Sequence, residues 1–217
     1  MGRPVKRTTK PDTKLTRAEQ ARATRRRIIA AATESFVAHG YGATLLDQVA
    51  ERAGVAVQTV YFHFGNKRTL LKEAMDIAAV GDDDPVPLLE RPWLRQIQQE
   101  PDPRRIITLW VATGRTIVER VAPLMRVVRG ATATDAVLAA QWHTNQSQTR
   151  TAHAFLAGLL AARDALKPGM TVEEAGDVAF VIGNVETYLQ FSDVCGWTFD
   201  QWQERTAALL AAALLRS

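Results

Sequence analysis

The stretch Thr44-Leu45-Leu46-Asp47-Gln48-Val49-Ala50-Glu51-Arg52-Ala53-Gly54-Val55-Ala56-Val57-Gln58-Thr59-Val60-Tyr61-Phe62-His63-Phe64-Gly65-Asn66-Lys67 decides the fold. Leu46, Val49, Ala50 and Ala53 recur at helical spacing, which predicts a helix over 44–53. Thr44 with Asp47 three residues on resembles a capping box, and Gly54 supplies the stop. A second short helix is expected over 56–64, with Val60 and Phe64 turned inward beside Val55. Gln58 and Tyr61 then share another face, flanked by Thr59 and His63. Small Ala50 and Ala53 sit where two helix axes must approach closely, as in a helix-turn-helix. All four exposed side chains form hydrogen bonds: glutamine suits an adenine edge, whereas tyrosine, threonine and histidine suit phosphate oxygens. Asn66 is the expected N-cap of a helix running towards Val80, so Lys67 lies in a first turn, where free amides already favour an anion. The same pattern also describes a solvated polar face on a helical hairpin, and the spacings alone leave both readings open.

Charge adds a second, independent signal. Residues 1–27 hold ten basic and two acidic residues, a net +8, and the balance is still +8 through Met75. Residues 76–217 therefore carry −4 of the chain's +4 total. A basic front on an acidic rear points to a polyanionic partner for the first third only. An anionic membrane would want a wide apolar face opposite the basic one, and residues 1–27 offer only Val5 and Leu15 as sizeable apolar side chains.

Helix start and stop signals cover the remainder. Thr16 and Glu19 form a capping box ahead of the stripe Ile28, Ala32 and Phe36, which Gly40 ends. The run from Gly81 to Pro87 is a breaker. Asp102-Pro103 starts a helix to about Val121, Pro123 a short one to about Arg129, and Thr132 or Thr134 a longer one ending near Lys167. Capping boxes at Thr171 and Thr198 open a helix closing at Gly196 and a final helix. No segment alternates with period two, so the chain reads as all-α with about nine helices.

Arg27-Ile28-Ile29-Ala30-Ala31-Ala32, Phe36, Gly40-Tyr41, Thr44, Val49-Ala50, Ala53-Gly54-Val55, Thr59-Val60-Tyr61-Phe62-His63-Phe64, Asn66-Lys67 and Leu70-Leu71 together resemble the N-terminal domain of the tetracycline-repressor (TetR) family of transcriptional regulators. The resemblance covers about residues 20–75 without a gap. It implies an N-terminal three-helix DNA-binding domain, a C-terminal helical domain for ligand binding and dimerisation, and a homodimer released from a pseudo-palindromic operator by a small molecule. By position, Thr44, Tyr61, His63 and Lys67 would touch phosphates, with Val57, Gln58 and Thr59 nearest the bases. Leu45 stands where a second hydroxyl residue is common, and Ala56 replaces the usual serine N-cap of the recognition helix.

The expected division is a basic arm at 1–15, a DNA-binding domain at 16–75 and a ligand-binding and dimerisation domain at 76–217. Gly2-Arg3-Pro4 with Lys6-Arg7 suits a minor-groove hook, although a tail adding only non-specific affinity fits as well. The segment 171–195 is apolar on nearly every side and so needs two packing partners. With the last helix it suits a four-helix interface with a twofold mate. Trp110, Met125, Trp142, Phe155, Asn184 and Tyr188 are candidates for the wall of a site for a partly hydrophobic effector.

No catalytic constellation, metal-ligand spacing or cofactor motif stands out. His143 and His153 fall on different faces of one helix and read as surface or satisfied histidines. Cys195, the single cysteine, reads as a small buried hydrophobe in a reducing, cytoplasmic setting. The longest apolar run, Ala207 to Leu215, is about half of a bilayer span. The competing reading is an all-α small-molecule-binding protein or enzyme whose basic arm is incidental.

Overall fold

A computed structural model describes residues 16–81 and 91–216. Among the described residues ten helices account for the fold, with no strand: α1 (Arg17–Ala43), α2 (Leu46–Ala53), α3 (Val57–Phe64), α4 (Lys67–Val80), α5 (Pro92–Gln99), α6 (Pro103–Ala131), α7 (Ala136–Ala161), α8 (Val172–Gly183), α9 (Val185–Cys195) and α10 (Phe199–Leu214). The expected arm at 1–15 and most of the breaker run lie outside the described residues.

The first four helices close over one apolar centre. Ile28, Ala32 and Phe36 of α1 meet Val49 and Ala50 of α2, Val60 and Phe64 of α3, and Leu70 and Leu71 of α4, all buried. Thr16 and Glu19 form the expected reciprocal cap of α1, and Asn66 caps α4 by accepting from the Thr69 amide at 3.0 Å. Gly54 ends α2 at φ 65°, where a Cβ would be strained, and its amide returns to the Ala50 and Glu51 carbonyls. The turn from α2 into α3 depends on this residue. Gly40 marks a kink at φ 74° within α1, which resumes to Ala43.

Helix α6 is the spine, roughly 43 Å long at 1.5 Å per residue over its 29 residues. Its middle and end, from Val118 to Ala131, complete the core of α1–α4 together with Tyr188, Leu189 and Trp202. Its beginning, with Ile106, Ile107, Trp110 and Val111, joins Leu94, Leu156, Leu160, Ala179, Leu210 and Leu214 in a second core.

Several expected boundaries move. Pro123 does not start a helix but lies inside α6. Buried Val121, Ala122, Leu124 and Met125 surround it, and burying large apolar side chains at about 1.5–3 kcal/mol each outweighs the ~3 kcal/mol of an interior proline. The cap of α7 is Asp135, which accepts from the Val137 and Leu138 amides, rather than Thr132 or Thr134. Those two hydroxyls donate back to the Arg129 and Ala131 carbonyls instead. Helix α7 stops at Ala161, short of Lys167. The segment 171–196 breaks at Asn184, whose side chain donates to the Phe180 carbonyl and accepts from the Glu186 and Thr187 amides, ending α8 and starting α9. Helix α5 has no counterpart in the sequence reading. It is anchored by buried Leu94 and Ile97, by Trp93 against Trp110, and by Arg163, which donates to the Gln98 carbonyl at 2.7 Å. Cys195 is exposed, not buried, in the last turn of α9.

Candidate nucleic-acid interface and interior cavity

Helix α3 buries Val60 and Phe64 and turns its other sides outward. Gln58 is exposed, Tyr61 is 51% exposed, and Val57, Thr59 and His63 are half-buried. Phe62 is 85% exposed and meets the His63 ring edge-on at 5.3 Å. It stands between two expected contacts. Midway between inward Val60 and Phe64, position 62 falls on the outer face by periodicity, but an aromatic residue in a helix is usually core, and this hides it in the sequence. No side chain caps the amides at the start of α3, as Ala56 at the N-cap implies, at a cost of about 1 kcal/mol.

Two expected phosphate contacts have another duty. Lys67 Nζ donates to the carbonyls of Tyr41 at 2.7 Å, Thr44 at 2.9 Å and Gly42 at 3.2 Å, and lies 4.6 Å from the centre of the Tyr41 ring. Three acceptors use all three ammonium hydrogens. Burial also pushes the lysine pKa below its ordinary value. Thr44 is 1% exposed, and its hydroxyl lies 2.7 Å from the Gly40 carbonyl and 3.2 Å from that of Ser35. The expected capping box at Thr44 therefore does not form: Leu45, 55% exposed, is the N-cap of α2 and makes no side-chain cap. Both Thr44 and Lys67 hold the turn between α1 and α2 against the start of α4. They frame the exposed edge of α3 instead of standing free on it.

A cavity of about 210 Å³ lies among α4, α5, α6, α7, the α8–α9 junction and α10. Of the six candidates for an effector site, Trp110, Met125 and Asn184 line it. Trp142, Phe155 and Tyr188 do not. Tyr188 stacks on Phe199 at 4.5 Å and meets Trp202 edge-on, Phe155 lies flat against Trp110, and Trp142 packs against the first core.

The wall also holds residues beyond the sequence-based candidates: Met75, Asp76 and Ala79 from α4, Trp93 from α5, Asn145, Thr149 and His153 from α7, and Trp202 and Thr206 from α10. His153 is buried and contacts the Thr149 carbonyl through Nδ1 at 2.9 Å. Desolvation pushes its pKa down, opposed by that hydrogen bond. Asn145 Nδ2, Trp202 Nε1 and Thr206 Oγ1 are buried without a protein partner. Arg120 of α6 donates to the Ala78 carbonyl at 2.8 Å and to that of Ala79 at 3.4 Å, which ties the end of α4 to the spine. One helix, α4, thus begins at the frame of the α3 edge and ends in the cavity wall. Among the described residues no cluster of His, Cys, Asp or Glu suits a metal ion, and no helix is long and apolar enough to cross a membrane.

Residues 28–74 match the family model described as "Bacterial regulatory proteins, tetR family". Over 58 residues the chain is 47% identical to the "Uncharacterized HTH-type transcriptional regulator TtgW" of Pseudomonas putida, covering 27% of this chain and 43% of that relative. The match therefore spans less than half of the relative's length. Among solved structures, the complex of triclosan with SmeT, the repressor of a Stenotrophomonas maltophilia multidrug efflux pump, superposes with a TM-score of 0.68 at 20% identity, covering 90% of this chain and 93% of that one. NalD, the secondary repressor of a Pseudomonas aeruginosa multidrug efflux pump, superposes with a TM-score of 0.63 at 23% identity, covering 91% and 99%. Residues 28–74 belong to the tetR family of bacterial regulatory proteins, and the chain around them shares the fold of those solved repressors.

Proposed function

We propose that the protein is a dimeric, cytoplasmic DNA-binding repressor that leaves a pseudo-palindromic operator when a small molecule fills the cavity. The reading divides the chain into a DNA-binding unit at 16–75 and a ligand-binding and dimerisation unit at 76–217. Gln58, Thr59 and Val57 approach base edges in the major groove, and Tyr61 and His63 reach phosphate oxygens. Thr44 and Lys67 act through the turn they hold. The observation that carries the reading is α4, which has Lys67 at the frame of the α3 edge and Met75 and Ala79 in the cavity wall.

Filling the cavity displaces the end of α4 and, through it, the two α3 edges of a dimer. Those edges must meet successive major grooves about 34 Å apart, so a modest shift weakens simultaneous contact. By linkage, operator binding weakens the effector by the same factor. The bound triclosan of SmeT supports a partly hydrophobic effector. Dimerisation through the last helices is supported by exposed Val181 on α8, Val194 on α9 and Leu209 on α10, whose apolar surface a twofold mate would cover.

Fluorescence anisotropy of the full chain on duplexes enriched from a random pool tests the reading. Two chains per duplex and an affinity that falls steeply with salt are expected. Weak binding without sequence enrichment would refute it.

A further inference from the structure

The chemistry of the cavity's ligand can be read from what the wall leaves unpaired. His153 stands between the rings of Trp110 at 5.9 Å and Phe180 at 6.2 Å, both edge-on. The Thr149 carbonyl only accepts, so its contact with Nδ1 places the ring hydrogen there. Nε2 is then a bare acceptor, and among the described residues no protein donor meets it. Gly183 packs closely on one side of the ring, where a Cβ would lie 2.7 Å from Nε2, and both residues line the cavity. Asn145 Nδ2, Trp202 Nε1 and Thr206 Oγ1 belong to the same wall and are buried without partners. Such groups are ordinarily paired, so these three atoms and His153 Nε2, four unmet polar atoms around one cavity, call for a ligand that meets some of them.

Charge and size narrow the class. The wall carries no lysine or arginine among the described residues, so an anion would enter without a counter-charge. Its one carboxylate, Asp76, already pairs with Lys72. Burial keeps His153 neutral near pH 7, which removes the remaining source of positive charge. An apolar cavity of roughly 150 Å³ holds one benzene. A volume of about 210 Å³ therefore takes one substituted ring.

We propose, resting on the reading of this cavity as the effector site, that its ligand is an uncharged, mainly apolar molecule of single-ring size carrying a hydroxyl that donates to His153 Nε2. The hydroxyl oxygen, or a second acceptor on the ring, is met by the indole N–H of Trp202 or by Thr206. An alkylphenol has these properties. A carboxylate lacks a counter-charge, an ether lacks the donor, and a hydrocarbon leaves Nε2 unmet.

The test uses the full chain and four probes of nearly one shape: 4-tert-butylphenol, 4-tert-butylanisole, tert-butylbenzene and 4-tert-butylbenzoate. Binding is followed by calorimetry and by quenching of tryptophan fluorescence, since Trp93, Trp110 and Trp202 line the cavity. The phenol is expected to bind about tenfold more tightly than each of the others, the ordinary effect of one buried hydrogen bond. In His153→Leu the phenol should lose about that factor, while tert-butylbenzene binds as before. Equal affinity for phenol, ether and hydrocarbon would overturn the hydroxyl assignment and leave the cavity standing. Tighter binding of the benzoate would do the same. Saturable binding of none of the four by folded protein would overturn both this assignment and the effector-site reading. If His153→Leu does not fold, the comparison of phenol with ether in the unaltered chain decides.

Discussion

Lys67 Nζ lies 2.7 Å from the Tyr41 carbonyl and 4.6 Å from the centre of the Tyr41 ring, so a residue at the start of α4 holds the end of α1. A phosphate ligand on an open surface could be removed without harm to the fold. A lysine that satisfies three carbonyls cannot. Lys67→Met is expected to lower unfolding stability by about 1–3 kcal/mol, through unmet carbonyls and a lost cation–π contact. Denaturant titration checks this. Unchanged stability with weaker DNA binding would return Lys67 to the phosphate role.

The outward residues of α3 should behave in the opposite way. Tyr61→Phe and Phe62→Ala remove groups that stand clear of the core, at 51% and 85% exposure, so melting should shift little. Tyr61→Phe should weaken DNA binding by a similar factor across sequences, as expected of a phosphate contact, whereas Phe62→Ala should weaken it through lost packing against the duplex. Anisotropy on specific and scrambled duplexes separates the two effects. A Tyr61→Phe loss confined to one base position would contradict the assignment.

Buried His153 makes stability depend on pH in a defined direction. Its folded pKa lies below its ordinary 6.5, so below about that pH the unfolded chain takes up a proton that the native chain refuses. Stability contributed by the neutral ring is therefore full above pH 6.5 and is lost progressively as pH falls below it. Comparing the pH dependence of unfolding in the unaltered chain and in His153→Leu isolates this contribution. An unchanged slope between the two would show that the ring titrates normally.

Gly183 is the last residue of α8, and a Cβ there would lie 2.7 Å from His153 Nε2 and 3.4 Å from Cδ2. Trp110 and Phe180 stand beside the ring and limit its retreat. Gly183→Ala is expected to destabilise the fold by about 1–3 kcal/mol, as overpacking does. Thermal unfolding reads this directly. A variant as stable as the parent would show that the ring has room to move.

The N-terminal unit is legible in the sequence because local signals and packing agree there. The Thr16–Glu19 pair, the Asn66 cap, Gly54 and the apolar stripes of α1–α4 each specify one boundary or one face. The errors lie where tertiary packing overrides local rules. Pro123 looks like a helix start until α6 is seen to bury residues on both sides of it. Asn184 looks like an interior residue, because nothing in the apolar pattern shows that its side chain serves two helix ends. The exposed edge of α3 follows from periodicity. The roles of Thr44 and Lys67 do not, because their carbonyl partners lie in a turn that periodicity leaves undescribed. The cavity is half legible for a similar reason: aromatic residues look alike in sequence whether they line a void or fill one.

The most direct measurement is enrichment of random duplexes by the full chain, run in parallel with Gln58→Ala. A symmetric site is expected, with two half-sites about one helical turn apart or a multiple of that, and with preference relaxed at one base position per half-site in the variant. An asymmetric site, or a Gln58→Ala profile identical to that of the unaltered chain, would contradict the placement of the α3 edge in the major groove.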